Sequence, residues 1–365
     1  MSQRPGILAD TAIAALFATG ALHAEAPLDD DQIQPASLDL RLGARAYRVR
    51  ASFLPGPAHK VADKLARFSL HTVDLTDGAV LETGCVYIVE LMEGLKLGND
   101  MSASTNPKSS TGRLDIFTRV MGDYGQEFDV IPPGYEGPLY LEISPRTFPV
   151  IVRRGSRLSQ IRFRAGHALL SEVSLLALHE AEMLVASDVP NITGGGIALS
   201  IDLEGRDGDD LIGYRGKHHT GVIDVDRKAG YDILDFWEPI HGRGKGELIL
   251  DPDEFYILVS REAVHVPPLY AAEMTPFDPL VGEFRVHYAG FFDPGFGHAE
   301  AGGSGARAVL EVRSHEVPFI LEHGQIVGRL VYEHMMDKPE NLYGSGLGSN
   351  YQAQGLKLSK HFRAG

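Results

Sequence analysis

The chain has 365 residues, 44% of them hydrophobic and 23% charged, a soluble globular composition with enough length for two domains of ordinary size. Its formal charge of −15 argues against a protein built to grip nucleic-acid backbone, because that task needs a basic face to displace counterions. The single Cys85 excludes an internal disulfide and any site needing two cysteines from one chain, and no apolar run reaches the roughly 18 residues of a membrane span.

The 41 Gly and 21 Pro are spread along the sequence, so turns must be frequent and the expected structure is mainly β with a few short helices. Gly6 to Ala26 is apolar and ends like a signal-peptide cleavage site, but Asp10 interrupts it. Asp10 as N-cap, Ile13, Leu16 and Phe17 at helical spacing and Gly20 as C-cap predict a short amphipathic helix instead. One free thiol suits a reducing cytoplasm.

The chain then repeats itself. Ser37-Leu38-Asp39-Leu40 is matched by Ser200-Ile201-Asp202-Leu203, an Asp39-to-Asp202 offset of 163. The turn and strand Leu81 to Val89 recur as Leu250 to Leu258, Tyr87 to Tyr256 being an offset of 169. Pro133-Gly134-Tyr135 recurs as Pro294-Gly295-Phe296, and Leu141-Glu142-Ile143 as Leu310-Glu311-Val312. Phe148-Pro149-Val150 to Gly155 is matched by Val317-Pro318-Phe319 to Gly324, and His298 to Gly305 forms an extra Gly-rich loop. Five matches in one order imply two homologous β domains, 1–188 and 189–365, divided where Asp188-Val189-Pro190 to Gly196 breaks regular structure. Leu169 to Ala186 reads as a strand followed by a helix.

Ile33-Gln34-Pro35-Ala36-Ser37-Leu38-Asp39-Leu40, then Lys108-Ser109-Ser110-Thr111-Gly112-Arg113, then Pro133-Gly134-Tyr135-Glu136-Gly137 through Glu142, together resemble the dCTP deaminase family and its relative dUTPase. The resemblance implies two tandem dUTPase-like β-barrel (distorted jelly-roll) domains that take dCTP and dUTP, with dTTP as an inhibitor. It also implies a homo-oligomer, a trimer for preference, and Mg2+ carried on the nucleotide triphosphate rather than held by the protein.

Deaminating a cytosine ring requires an activated water, a proton for the leaving amine and donors along the polar ring edge. One carboxylate on an apolar strand can serve the first two needs if desolvation raises its pKa. By resemblance Glu142 is that proton shuttle, since it shares a half with the intact Ser-Ser-x-x-Arg element. Glu311 competes, because the second half keeps the family's Ala289, Asp293 and Pro294-Gly295. A composite site of Ser109, Ser110 and Arg113 with Ala289, Asp293 and Glu311 is therefore equally open. Ser109, Ser110 and Arg113, with Lys108, offer hydroxyl and cationic donors for base and phosphates. The family's nucleotide-closing tail is resembled by Tyr343, Tyr351 and Gln354, followed by Lys357 and Lys360.

A zinc deaminase with His/Cys/Cys ligands is excluded by the one cysteine, and His218-His219 and His179-Glu180 read as polar surface or core residues. A dUTPase or bifunctional enzyme, and a catalytically silent nucleotide-binding regulator, are the remaining alternatives.

Overall fold

The computed structural model describes residues 5–363 apart from 188, 206–208, 243, 277–283, 288–289, 315 and 345–354, with the backbone alone at 276 and 284–287. One series of elements is laid down twice. The first copy runs from the helix Asp10–Thr19 and strand Leu22–Ala24 through the hairpin Ile33–Gln34 and Ser37–Val49. Its principal later strands are Val86–Lys96, Met101–Pro107, Ile116–Gly122, Glu136–Pro145 and Arg157–Ala165. In the second copy the helix Glu172–Glu182 and strand Val185–Ala186 lead to Ile192–Thr193, Gly196–Ser200 and Leu211–Gly216. Phe255–Val264, Tyr270–Pro276, Phe284–His287, Ala306–Ser314 and Ile326–His334 follow. In each copy mainly antiparallel strands curl into barrel-like sheets around their own apolar cluster.

The repeat holds at the level of strand register. Glu142 pairs with Ile88 and Glu311 with Ile257, so both partners are displaced by the same 169 residues. The preceding turns also match: the Tyr87 hydroxyl accepts from the Glu82 N–H at 3.2 Å, and Tyr256 accepts from Asp251 at 3.0 Å. One sequence match needs correction. The opening hairpins pair Ile33 with Leu38 and Ile192 with Ile197, an offset of 159, so the counterpart of Asp39 is Ala198 and not Asp202. Further on, Tyr47 pairs with Ile88 and Tyr214 with Ile257, an offset of 167. Eight extra residues in the second copy separate these two registers. A slip of four keeps every side chain on its own face of the strand, so alternation could not reveal the error.

Two smaller expectations also change. Helix Glu172–Glu182 precedes strand Val185–Ala186 as helix Asp10–Thr19 precedes Leu22–Ala24, and both strands dock on the end of an equivalent long strand. The helix thus opens the second copy, and the junction lies near 166–171, ahead of the boundary expected from the Pro and Gly break at Asp188. Asp10 is the first helical residue rather than the cap. Its carboxylate instead accepts from the backbone N–H groups of Glu340 and Asn341 at 3.1 and 3.0 Å, tying the first helix to the second copy.

The strand Glu136–Pro145 is buried throughout from Leu139 onward because both its faces are covered. Leu139, Leu141 and Ile143 fill the barrel, while Tyr140 on the opposite face packs against Val61 and Leu65 of the helix Val61–Phe68. The matching strand Ala306–Ser314 points Ala308, Leu310 and Val312 into the second core. Its outer face carries Glu311 and Arg313, and these meet the first copy. After the second barrel the chain returns: Leu358 and Phe362 are buried in the first copy's core, beside Trp237 and Phe255.

Candidate active site

A cavity of about 280 Å3 lies between the two copies. From the first copy come Asp39, Lys108, Ser109, Ser110 and Arg113, with Arg157 and Gln160 on the neighbouring strand. The second supplies Met274, the segment Gly290–Asp293, Phe296, Glu311 and Tyr343, and Lys228 and Lys360 reach it from outlying segments.

Ser109–Gly112 is one helical turn that follows strand Met101–Pro107, and it buries Ser110, Thr111 and Gly112. Thr111 donates its hydroxyl to the Leu158 carbonyl at 2.7 Å, which holds the turn against the barrel. From there Arg113 reaches across the interface. Its Nε stands 3.9 Å from the Glu311 carboxylate, and its Nη1 donates to the Lys357 carbonyl at 2.9 Å. Two residues on, Asp115 pairs with Arg313, so the turn is fixed to the second copy's strand at two successive positions.

The C-terminal segment braces the same turn from behind. Ser359 donates to the Ser110 carbonyl at 2.9 Å and hydrogen-bonds His361 Nδ1 at 2.8 Å, whose Nε2 faces the Val225 carbonyl. Burial lowers the His361 pKa to about 4, so the ring is neutral near pH 7. Lys360 lines the cavity, and burial, reinforced by Lys108 and Lys228, lowers its ammonium to about 8. Lys357 meets the site through its backbone carbonyl, and the Tyr343 N–H donates to the Pro294 carbonyl at 2.8 Å.

Glu311 is 4% exposed. Burial pushes its carboxyl up to about 8 against the pull of Arg113, placing it in the range where a proton can be taken and returned near neutral pH. Asp293 is also raised by burial, with Arg162 holding it down. Arg162 is itself fully buried: it donates to Asp293 at 3.0 Å and to the Ala272 carbonyl at 3.0 Å, and stacks 4.0 Å from the centre of the Phe291 ring. Asp39, also buried and lining the cavity, is paired with Lys108 and lies 3.5 Å from Arg157.

The sequence-based candidates thus divide. Lys108, Ser109, Ser110, Arg113, Asp293, Glu311 and Tyr343 share one cavity. Glu142 does not join them. Its Oε1 accepts from Arg119 Nη2 at 2.6 Å and Nε at 3.0 Å, and the Arg119 guanidinium is stacked 3.7 Å from the centre of the Phe128 ring. Ala289, Tyr351 and Gln354 lie outside the described residues. Sequence reasoning missed Asp39, Arg157, Gln160, Arg162 and Lys228 as site residues. The signal for Gln160, Arg162 and Arg164 was their alternation on one face of a strand that would otherwise be apolar.

Two family profiles cover almost the whole chain. "2'-deoxycytidine 5'-triphosphate deaminase (DCD) N-terminal domain" matches residues 4–167, and the C-terminal domain of the same family matches residues 171–362. The chain belongs to the dCTP deaminase family. A solved structure, 2'-deoxycytidine 5'-triphosphate deaminase from Agrobacterium tumefaciens, is 78% identical and superposes with a TM-score of 0.90, covering 94% of this chain and 99% of that one. A dCTP deaminase from Halorubrum lacusprofundi is 34% identical over 161 residues, 43% of this chain and 76% of its own length. A relative from Methanosphaera stadtmanae, named "dCTP deaminase, dUMP-forming", is 31% identical over 160 residues, 43% of this chain and 78% of its own. Each of these two relatives aligns with somewhat less than half of this chain.

Proposed function

We propose that this dCTP deaminase family member hydrolyses the amino group of dCTP at the cavity between its two copies, giving dUTP and ammonia, with Glu311 as the proton shuttle. The observation that carries the reading is the meeting of Arg113 and Ser110 from one copy with the buried Glu311 of the other. Ionised Glu311 takes a proton from water as the hydroxide adds to C4 of the ring. It returns that proton to the exocyclic nitrogen, and the C4–N bond breaks as ammonia departs. Arg113, close to Glu311, supplies positive charge where negative charge develops. Ser109 and Ser110 hold the base, and Lys108, Arg157, Lys228 and Lys360 face the triphosphate.

No protein-held catalytic metal enters this scheme. Of the cavity's carboxylates besides Glu311, Asp31 is engaged by Arg157, Asp39 by Lys108, Asp226 by Arg153 with Ser156 and Asp293 by Arg162, so Mg2+ would arrive on the triphosphate. The role in supplying dUTP for thymidylate synthesis, the cytoplasmic location, the homo-oligomer and inhibition by dTTP belong to the same proposal. The "dUMP-forming" name of several relatives favours one second reading, a bifunctional enzyme that also releases pyrophosphate. Incubating the protein with dCTP and Mg2+ and separating the nucleotides decides between them. dUTP with ammonia is the expected product, dUMP with pyrophosphate points to the bifunctional enzyme, and binding without turnover means a silent regulator.

The same proposal carries an expected pH dependence. kcat/KM reports groups of the free enzyme. Glu311 must be ionised to accept a proton, so activity rises as pH climbs toward about 8. Lys360 must be charged to meet phosphate, so activity falls as pH passes about 8. A narrow bell near pH 8 is expected in kcat/KM, and Lys360→Met should lower activity and remove the basic limb alone. A flat profile from pH 6 to 9 would count against both assignments.

A further inference from the structure

Beside the turn that carries Asp293 and Phe296, a second cavity of about 310 Å3 is lined by Glu182, His265 and His298. Their ligand atoms all lie within 4.8 Å of one another. The three residues come from separate elements. Glu182 ends the helix Glu172–Glu182, His265 follows strand Phe255–Val264, and His298 begins the extra Gly-rich loop of the second copy.

The loop is built tightly enough to set His298 in place. A Cβ on Gly297 would stand 2.5 Å from the Val264 carbonyl oxygen, and Gly303 packs directly against Gly297. The His298 ring accordingly sits 5.2 Å from that of His265, centre to centre.

His265 Nε2 is buried and has no hydrogen-bond partner among the described residues. In the tautomer that carries the ring proton on Nδ1, Nε2 is the nitrogen with a lone pair. A buried, unpaired acceptor nitrogen carries a desolvation cost that a hydrogen bond or a metal ion would remove. His298 Nε2 is 3.4 Å from Glu182 Oε2. In a tetrahedral site with ligands at about 2.0–2.1 Å from zinc, neighbouring ligand atoms are about 3.3–3.4 Å apart.

We propose that Glu182, His265 and His298 bind a divalent transition-metal ion of the zinc class, which clips the extra loop to the helix and the strand end. Two imidazoles and a carboxylate are the ligand types such an ion takes, leaving one position for water. Ligation through His298 Nε2 moves that ring's proton to Nδ1 and gives up its 3.2 Å bond from the Glu300 N–H, one surface contact. The ion's place is structural. His298 is five residues beyond Asp293, and Val266, next to His265, already brackets the turn by donating its N–H to Phe296 and accepting from Gly295 at 2.8 and 2.9 Å. Among the described residues the first copy has no such cluster: by strand register Lys96 stands where His265 does, paired with Glu136.

Untagged full-length protein, stripped with chelator, is dialysed against Zn2+ and its metal content measured, with Co2+ absorption reporting the ligand set. About one ion per chain is expected, and His265→Gln and His298→Gln should each weaken binding roughly tenfold or more. Metal-free variants should keep the urea midpoint of the metal-free parent, and His298→Gln, on the surface loop, serves if His265→Gln folds poorly. The proposal is overturned if the parent binds no stoichiometric Zn2+, or if both variants bind it as the parent does. In the first case the cluster is an ordinary histidine-carboxylate contact, and in the second the ion sits on other histidines. Neither result bears on deamination by Glu311.

Discussion

Converting Glu311 to Gln should reduce single-turnover deamination of dCTP by roughly 10²–10⁴-fold while leaving nucleotide affinity near that of the parent. The amide keeps the size and hydrogen-bonding shape of the side chain but cannot take a proton. Glu142→Gln should turn over at the parent rate, because Glu142 is spent on Arg119 under the helix-covered face of the first copy. Thermal stability provides an internal check on the interpretation. The folded-state pKa of Glu311, about 8, lies above its ordinary 4.5, so the folded protein binds more protons than the unfolded chain between those values. Stability contributed by this group is therefore full below about pH 4.5 and is lost as pH rises through about 8. The Gln variant lacks that loss and should be at least as stable as the parent at pH 8. An inactive but destabilised variant would mean a structural role, and equal turnover by all three proteins would rule out the carboxylate shuttle.

Arg162→Met should cost about 3–5 kcal/mol of stability, the scale for removing one partner of a buried ion pair. Arg162 is fully buried between the copies, and its loss leaves the buried Asp293 and Glu333 with less compensating charge. It would also release Asp293 and the Phe291 ring that line the cavity. Arg162 acts through Asp293, so a distinctive test is non-additivity. Arg162→Met combined with Asp293→Asn should be less destabilised than the sum of the single changes, since the second removes the charge that the first strands. Urea unfolding of the four proteins measures this, and strict additivity would show that the two residues do not act as a pair.

Much of the fold was legible because duplication leaves a register that a sequence preserves. The offset linking Glu142 to Glu311 is the offset linking their strand partners Ile88 and Ile257. The same property made the two glutamates look interchangeable. What separates them is the covering of their shared outer face. Helix Val61–Phe68, with Phe128 against its cluster, covers it in the first copy, and the Arg113 turn of the other copy meets it in the second. Those coverings come from distant segments that strand alternation does not encode. The Asp39 motif was visible as a signature, but its place in the cavity wall depends on Lys108, 69 residues away. Its apparent echo at Asp202 was the four-residue slip, which left no trace in the pattern of buried and exposed positions.

The clasp of Ser359 on the Ser110 turn closes 249 residues of chain. Contacts so distant in sequence must meet a large loop entropy before they return anything, so they form late in folding. The chain's one tryptophan stands at this closure: the Trp237 ring is 6.0 Å from Phe362, three residues past Ser359. Its emission is thus a built-in reporter of tail docking. During refolding, maturation of the nucleotide site should track that signal rather than the earlier far-ultraviolet signal of the barrels.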